Sequence, residues 1–283
     1  MIEVVRACSF HLFYLAIWDK NSKTVRRKRV KIDYTTESNG SQQGPYTYFS
    51  EPQTVDHYFR ATANVGLWTS ERAVIESCLS KTDALLELGC GTGRITFGLH
   101  KLGYRDITAV DVAPGMIAAA LEVNMALETP IRFSVEDATQ LSFDNEVFNA
   151  AIFGFNGWMQ IPYARNREKA LEEIRRVLKP HGLFIFTTLD QDITLCPHGT
   201  WENEASHWQS RVPSCFDLGD IHIATPDGSH FMHVPTFLEI RKLLKTNSFE
   251  VLDTFLRDDR FVESHNVVNF ADNLRFWITQ KQN

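Results

Sequence analysis

The sequence reads LLELGCGTGR at residues 85–94, and the interpretation of the whole chain starts from this stretch. A short apolar run, which includes Glu87, leads into a turn with three glycines, Gly89, Gly91 and Gly93. Glycines tolerate positive φ and let a ligand approach the backbone where a buried strand ends and a helix begins. The pattern predicts a nucleotide-binding turn, and by itself it leaves the nucleotide open.

Strand and helix patterns alternate around this turn. Short apolar runs, typical of buried parallel strands, occur at residues 84–88, 107–112, 131–137, 147–155 and 182–189. Segments with apolar residues at helical spacing separate most of them. Two further strands, at residues 250–258 and 272–281, follow each other without a helix, which indicates an antiparallel pair at the sheet edge. The sequence therefore predicts an α/β, Rossmann-like doubly wound sheet that is mostly parallel and has an antiparallel terminal strand.

Composition and charge restrict the class of protein. The 283 residues carry a formal net charge of -6, which argues against general affinity for nucleic acids. The five cysteines are scattered and form no CxxC pair, as expected of a reducing compartment such as the cytoplasm. No apolar run approaches the roughly 18 residues of a membrane span. We expect neither a nucleic-acid partner nor membrane insertion.

Residues 1–45 differ from the rest and are interpreted as an N-terminal extension that is partly flexible. The apolar residues 8–18 predict a strand or short helix, with a signal peptide as the less favoured alternative. The basic run at residues 26–31 is interpreted as a solvated tail in preference to a nucleic-acid arm. A polar linker is expected at residues 35–45, so the functional domain would cover residues 46–283.

Carboxylates near the strand ends narrow the choice of ligand. Glu87 can accept from a cationic amino group or a water, and would be unfavourable beside a pyrophosphate. Asp111 ends the second strand, where a carboxylate can accept from both hydroxyls of a ribose. Asp137, followed by Ala138, comes after the third strand and can accept from an adenine amino group. The implied ligand has an adenine, a ribose and a cationic tail, and needs no phosphates.

Four motifs together resemble class I S-adenosylmethionine-dependent methyltransferases of the small-molecule type. They are LLELGCGTGR, AVDVAPGMI, VEDATQLSFDNEVFNAAIF and ALEEIRRVLKPHGLFIFTT. The resemblance covers about residues 54–281, and it implies S-adenosyl-L-methionine as the cofactor. It departs from the usual pattern at KPHG, where His181 stands in a turn that normally has a second glycine.

The resemblance also implies roles for individual residues around the cofactor. Each of these residues would enclose one part of S-adenosylmethionine. The methionine and ribose part would contact Glu87, Gly89, Gly91 and Gly93, the ribose diol Asp111, the adenine Val112, Met116, Asp137 and Ala138, and the remaining pocket Phe155 and Asn156.

The acceptor is expected outside the carboxyl ends of the strands. The insertion at residues 190–234, interpreted as a substrate lid, holds seven acidic residues and one arginine. Such a lid would repel phosphate backbones, so a neutral or amine-bearing small molecule is favoured. Aromatic and sulfur-containing side chains would form the substrate pocket, unless they simply form the core of the lid; they are Tyr58, Trp158, Met159, Tyr163 and Trp201.

A hydroxyl acceptor would need a general base, whereas an amine would need less help. The candidate bases are His222, His230, His233 and Asp190. His230 and His233 are three residues apart, but Gly228 and Pro235 argue against the helix on which they could share a metal. No metal site is therefore predicted.

The prediction is in-line methyl transfer to oxygen or nitrogen of a small molecule. One alternative is an NAD(P)-dependent oxidoreductase, which would need a phosphate-tolerant loop and a Tyr/Lys or cysteine arrangement that is not evident here. The other is a noncatalytic S-adenosylmethionine-binding protein, because fold alone does not settle function.

Overall fold

The computed structural model describes residues 5–9, 12–19, 24–29, 48–194, 196, 199–209, 217–225 and 228–283. Near the N-terminus, strands β1 (Val5–Ser9), β2 (Leu12–Asp19) and β3 (Thr24–Arg29) form an antiparallel sheet of their own. The described residues of the apolar run 8–18 therefore all lie in β1 or β2. The predicted linker at residues 35–45 lies outside the described residues.

The central sheet has seven strands. They are β4 (Leu85–Leu88), β5 (Ile107–Asp111), β6 (Arg132–Val135), β7 (Phe148–Phe153), β8 (Leu178–Thr188), β11 (Phe249–Leu256) and β12 (Arg275–Lys281). Their order is β11-β12-β8-β7-β4-β5-β6. Strands β4 to β8 are parallel, while β12 pairs antiparallel with both β8 and β11. The predicted mostly parallel sheet with an antiparallel terminal pair is confirmed. The prediction that no helix lies between the last two strands is wrong, because two short helices, Arg257–Arg260 and His265–Phe270, connect them.

Helices cover both faces of this sheet. They are α1 (Pro52–Asn64), α2 (Thr69–Cys78), α3 (Arg94–Lys101), α4 (Pro114–Ala126), α5 (Ala164–Val177), α7 (Phe237–Thr246), α8 (Arg257–Arg260) and α9 (His265–Phe270); α6 belongs to the lid. Every residue of β4 and β5 is buried, because these central strands are covered on both sides. Two hydrophobic clusters, one on each face, form the core.

The lid, residues 190–234, contains helix α6 (Trp201–Gln209) and a hairpin of strands β9 (Asp220–Thr225) and β10 (Gly228–His233). His230 and His233 are therefore on a strand, where residues three apart point to opposite faces. Among the described residues, no group of three or more metal-ligating side chains is assembled. Within the same residues, no helix is long and apolar enough to cross a membrane.

Candidate functional site

A cavity of about 320 Å³ opens at the carboxyl ends of β4, β5, β6 and β7. The residues lining it come from the glycine turn, from the ends of the strands and the segments that follow them, from the segment before α1, from α1 itself, and from the first turns of α4 and α5. They are Phe49, Tyr58, Leu88, Gly89, Gly91, Val110, Asp111, Val112, Met116, Glu136, Asp137, Ala138, Thr139, Phe153, Gly154, Phe155, Gly157, Gln160, Ile161, Pro162, Tyr163 and Asn166.

The glycine turn forms one side of the cavity. Gly89, Gly91 and Gly93 have φ values of 59°, 54° and 92°, in the left-handed region that favours glycine. A Cβ atom on Gly89 would lie 2.6 Å from the Phe153 ring, whereas a Cβ atom on Gly91 would have nothing within 4 Å. The backbone at Gly91 therefore borders open space, as a ligand cradle requires. Gly93 is the N-cap residue directly before α3 and does not line the cavity.

Asp111 connects the end of β5 to the glycine turn. Its Oδ2 accepts a hydrogen bond from Gly91 N at 2.8 Å, and its Oδ1 accepts one from Ala113 N at 2.9 Å. Burial raises the pKa of this carboxyl, while the backbone donors act in the opposite direction. Each oxygen still has a lone pair for a second donor, so the carboxylate can bind a pair of neighbouring hydroxyls.

The side of the cavity beyond Asp111 is partly apolar. Val112, Met116 and Ala138, which are predicted to contact an adenine, all line it. Asp137 Oδ1 accepts from Thr139 N and Thr139 Oγ1, both at 2.8 Å, which fixes the carboxylate at the rim.

Glu87 lies behind the glycine turn and is not part of the cavity lining. It is buried within β4, and Thr96 Oγ1 of α3 donates a hydrogen bond to its Oε2. Burial raises the pKa of Glu87 from 4.5 to about 8, and the Thr96 hydrogen bond only partly offsets this. Glu87 therefore does not face the cavity, where the methionine part of a cofactor was predicted to contact it. The reason is that alternate residues of a strand face opposite sides of the sheet.

Three of the five residues predicted for the substrate pocket lie elsewhere. Trp158 and Met159 are fully buried in the core, because the 3-10 turn Gly157–Gln160 directs them inward; Trp158 Nε1 donates to Arg167 O at 2.8 Å. Trp201 packs against the same core and donates to Gln191 O at 3.3 Å. Tyr58 and Tyr163 do line the cavity.

None of the four candidate bases lines the cavity. Asp190 is 1% exposed and accepts from Arg275 Nε at 2.7 Å, so it holds the lid to β12. His222 packs against Trp208 and Phe231, and burial lowers its pKa. His230 stacks on Tyr48 at 4.9 Å and contacts Phe49, which places it one residue layer behind the cavity.

His233 belongs to a buried charged cluster that ties the lid to the body of the protein. Its Nδ1 is 2.6 Å from Asp220 Oδ1 and its Nε2 is 2.8 Å from Glu239 Oε1. Arg167 completes the cluster, with Nη2 3.8 Å from Asp220 Oδ1, and also donates to Ile161 O in the cavity wall. His233 therefore supports the lid, and the prediction that it acts as a base has no support in this geometry.

His233 should make stability depend on pH. Burial alone would lower its pKa, but the hydrogen bonds to Asp220 and Glu239 outweigh this, and the pKa lies above its ordinary value. A raised histidine pKa adds stability below about pH 6.5 that is lost as the pH rises through the folded-state pKa. We expect His233→Gln to lower the free energy of unfolding by about 1–3 kcal/mol at pH 6 and by less at pH 9. Urea unfolding at both pH values measures this. The exposed His265→Gln is the control, and an equal loss at both pH values would contradict the prediction.

Several residues that line the cavity were not predicted from the sequence. Phe49 precedes α1 in the chain, and no pattern connects it to strand ends that follow much later. Gln160, Ile161 and Pro162 lie between Met159 and Tyr163, two residues predicted for the substrate pocket, but were not themselves predicted. Tyr163, at a φ of 67°, shows that this segment is held in an uncommon conformation beside the cavity.

Comparisons with known proteins agree with this geometry. Residues 85–182 match the family described as "Methyltransferase domain". A mouse protein, "EEF1A lysine methyltransferase 4", is 25% identical over 78% of this chain and 81% of its own length. "Demethylmenaquinone methyltransferase" from Leptospira interrogans is 36% identical over 39% of this chain and 45% of its own length.

The fold has many relatives among solved structures. A SAM-dependent methyltransferase from Methanosarcina mazei superimposes with a TM-score of 0.60 at 24% identity, over 74% of this chain and 97% of the other. This likeness shows the fold. The chain spans only 18% and 30% of the length of two Drosophila relatives described as "eEF1A lysine and N-terminal methyltransferase homolog".

Proposed function

Because residues 85–182 form a methyltransferase domain of the class I S-adenosylmethionine-dependent family, we propose that this chain transfers the methyl group of S-adenosylmethionine to a small-molecule acceptor. The observation that carries the proposal is the pair of hydrogen bonds that joins Asp111 to Gly91 and Ala113. They fix the Asp111 carboxylate in the cavity wall, where it would accept from a ribose diol, directly beside a glycine whose missing side chain leaves the cavity open.

The residues present fit the cofactor. Asp111 would accept from the ribose hydroxyls, Val112 and Met116 would contact the adenine, and Asp137 would accept from its amino group. Gly89 and Gly91 would lie along the methionine part. When bound, S-adenosylmethionine supplies an electrophilic methyl group on a sulfonium.

Alignment and exclusion of water would supply most of the catalysis. The cavity wall contains no histidine among the described residues, and its three carboxylates, Asp111, Glu136 and Asp137, lie on the ribose and adenine side. Burial raises the pKa of Tyr58 well above its ordinary value, so its hydroxyl stays protonated. An acceptor that is already nucleophilic suits this site better than one that must lose a proton to the protein. Phe155 and Tyr163 offer aromatic faces suited to a cation.

A small acceptor is supported by the size of the cavity. Its volume of about 320 Å³ is at the low end of the roughly 300–1,000 Å³ found for ligand pockets. After a nucleoside-sized cofactor is bound, little room remains. The alternative acceptor is a lysine side chain of a protein, which the name of the mouse relative favours. Label from [methyl-³H]S-adenosylmethionine that enters the low-mass fraction of a cell extract would support the small molecule, and label in the protein fraction would support lysine.

Calorimetry is the direct test of the cofactor. We expect S-adenosylmethionine and S-adenosylhomocysteine to bind with micromolar affinity, and NAD to bind at least about 100-fold more weakly, because Asp137 and Glu136 would repel a pyrophosphate. Binding of NAD without either sulfur ligand would contradict the proposed function. The cytoplasmic location and the domain limit near residue 46 remain proposals that rest on the sequence alone.

A further inference from the structure

A second, much smaller cavity adjoins the first. It has a volume of about 20 Å³ and lies between the end of β7, the lid hairpin and the segment before β12. Phe155 and Gln160 line both cavities. The other residues of the small cavity are Asn156, Leu189, Ile223, Met232, Ala271, Asp272 and Leu274. The small cavity is therefore placed under the lid, next to the site described above.

Asn156 is one of three polar residues in the lining of the small cavity, together with Gln160 and Asp272. Its side chain is 5% exposed, and within the described part of the chain its Oδ1 has no hydrogen-bond donor. A buried carbonyl oxygen without a donor destabilises the folded state. Phe155 and Asn156 both have positive φ, at 48° and 60°, and Asn156 N donates to Thr187 Oγ1 at 3.1 Å. The fold thus holds Asn156 in an uncommon backbone conformation with its acceptor atom unsatisfied, a combination typical of ligand sites.

The charge around the small cavity indicates what kind of donor would bind. Asp272 contributes a carboxylate to its lining. No lysine, arginine or histidine lines either cavity within the described residues. Within this lining the formal charge is negative, which disfavours an anion and suits a hydrogen-bond donor that carries positive charge.

The volume of the small cavity limits the size of the chemical group that can bind in it. A cavity that holds one water needs at least about 10–15 Å³, so 20 Å³ admits one water or one ammonium group of similar size. Apolar side chains, Leu189, Ile223 and Met232, form the rest of the lining and would exclude competing water.

We propose that this small cavity binds an amine group of the methyl acceptor, with Asn156 Oδ1 accepting its hydrogen bond and Asp272 stabilising its charge. The proposal rests on the proposed function and adds the substrate class, an amine-bearing molecule held under the lid. Asn156, which the resemblance placed beside the cofactor, is thereby assigned to the acceptor. The amine is bound for recognition, whichever atom of the acceptor is methylated.

The test uses the full chain, [methyl-³H]S-adenosylmethionine and both fractions of a cell extract, before and after acetylation of amines with N-hydroxysuccinimidyl acetate. We expect acetylation to lower the incorporated label at least about tenfold. We expect Asn156→Leu to lower it by a similar factor while the affinity for S-adenosylhomocysteine changes less than about twofold. Asn156→Asp, which restores an acceptor, should recover most of the label. Asn203→Leu, an exposed change in the lid, is the control.

The outcomes separate the two proposals. Label that survives acetylation, or full labelling by Asn156→Leu, would mean that the small cavity holds a bound water only and would overturn the amine site. Absence of S-adenosylhomocysteine binding to the native chain would overturn the proposed function and the amine site together. Label in neither fraction, with S-adenosylhomocysteine bound, would contradict the methyl transfer itself.

Discussion

Replacing Asp111 with alanine is expected to weaken the binding of S-adenosylhomocysteine by about 100-fold. The carboxylate would accept from two ribose hydroxyls, and hydrogen bonds to a charged group contribute about 1.5–3 kcal/mol each. The same side chain accepts from Gly91 N and Ala113 N, so its removal also releases the glycine turn from β5. Both effects weaken the binding of S-adenosylhomocysteine, and calorimetry measures their combined effect on its affinity.

Two further variants separate the direct contact with the ribose from the hydrogen bonds that support the glycine turn. Asp111→Asn keeps an oxygen that can accept from one backbone donor, and we expect an intermediate loss of about tenfold. Asp259→Ala, a change of the same kind on an exposed residue, should leave the affinity unchanged. Native affinity in Asp111→Ala would refute the assignment of this residue to the ribose.

Replacing Glu87 with glutamine should remove a large pH dependence of stability. The folded-state pKa of about 8 exceeds the ordinary value of 4.5, so between these pH values the folded chain binds a proton that the unfolded chain has released. Stability therefore falls as the pH rises from about 4.5 to about 8, by on the order of 5 kcal/mol in total. Glutamine keeps an acceptor for Thr96 and does not titrate.

Urea unfolding between pH 5 and pH 9 measures this difference. We expect similar unfolding free energies for the native chain and Glu87→Gln near pH 5, and a variant that is more stable by several kcal/mol at pH 9. The exposed Glu172→Gln is the matched control and should follow the native chain at every pH. A constant difference between Glu87→Gln and the native chain would show that Glu87 does not titrate in this range.

Local sequence was sufficient to bring most of the residues predicted for the cofactor to one cavity. The turn at Gly89 and Gly91 follows a buried strand directly, and Asp111 and Asp137 stand at or just after strand ends. In a parallel sheet those ends meet on one edge, so position along the chain predicts position in space. The sequence did not indicate that Glu87 would lie outside the cavity lining, because a residue inside a strand can face either side of the sheet.

The acceptor side depends on tertiary contacts that no local pattern encodes. Trp158 and Met159 turn into the core because of the 3-10 turn that carries them, although their sequence neighbours line the cavity. His233 resembles a candidate base in the sequence, but Asp220 and Glu239 approach it from separate elements and make it part of the support of the lid. Asn156 was identified as a pocket residue, and only the structure separates its small cavity from the large one.

The position of β12 has a consequence for how fast the protein reaches its native state. Trp277 of β12 pairs with Phe186 of β8, and the whole lid lies in the chain between them. β12 also separates β8 from β11, so the sheet is continuous only after this long-range pairing has formed. Such non-local contacts slow folding, because loop-closure entropy must be overcome before they stabilise the chain. Strands β4 to β8, which carry the glycine turn and Asp111, can pair earlier, so we expect the nucleoside side of the site to be structured before the lid has a completed sheet on which to pack.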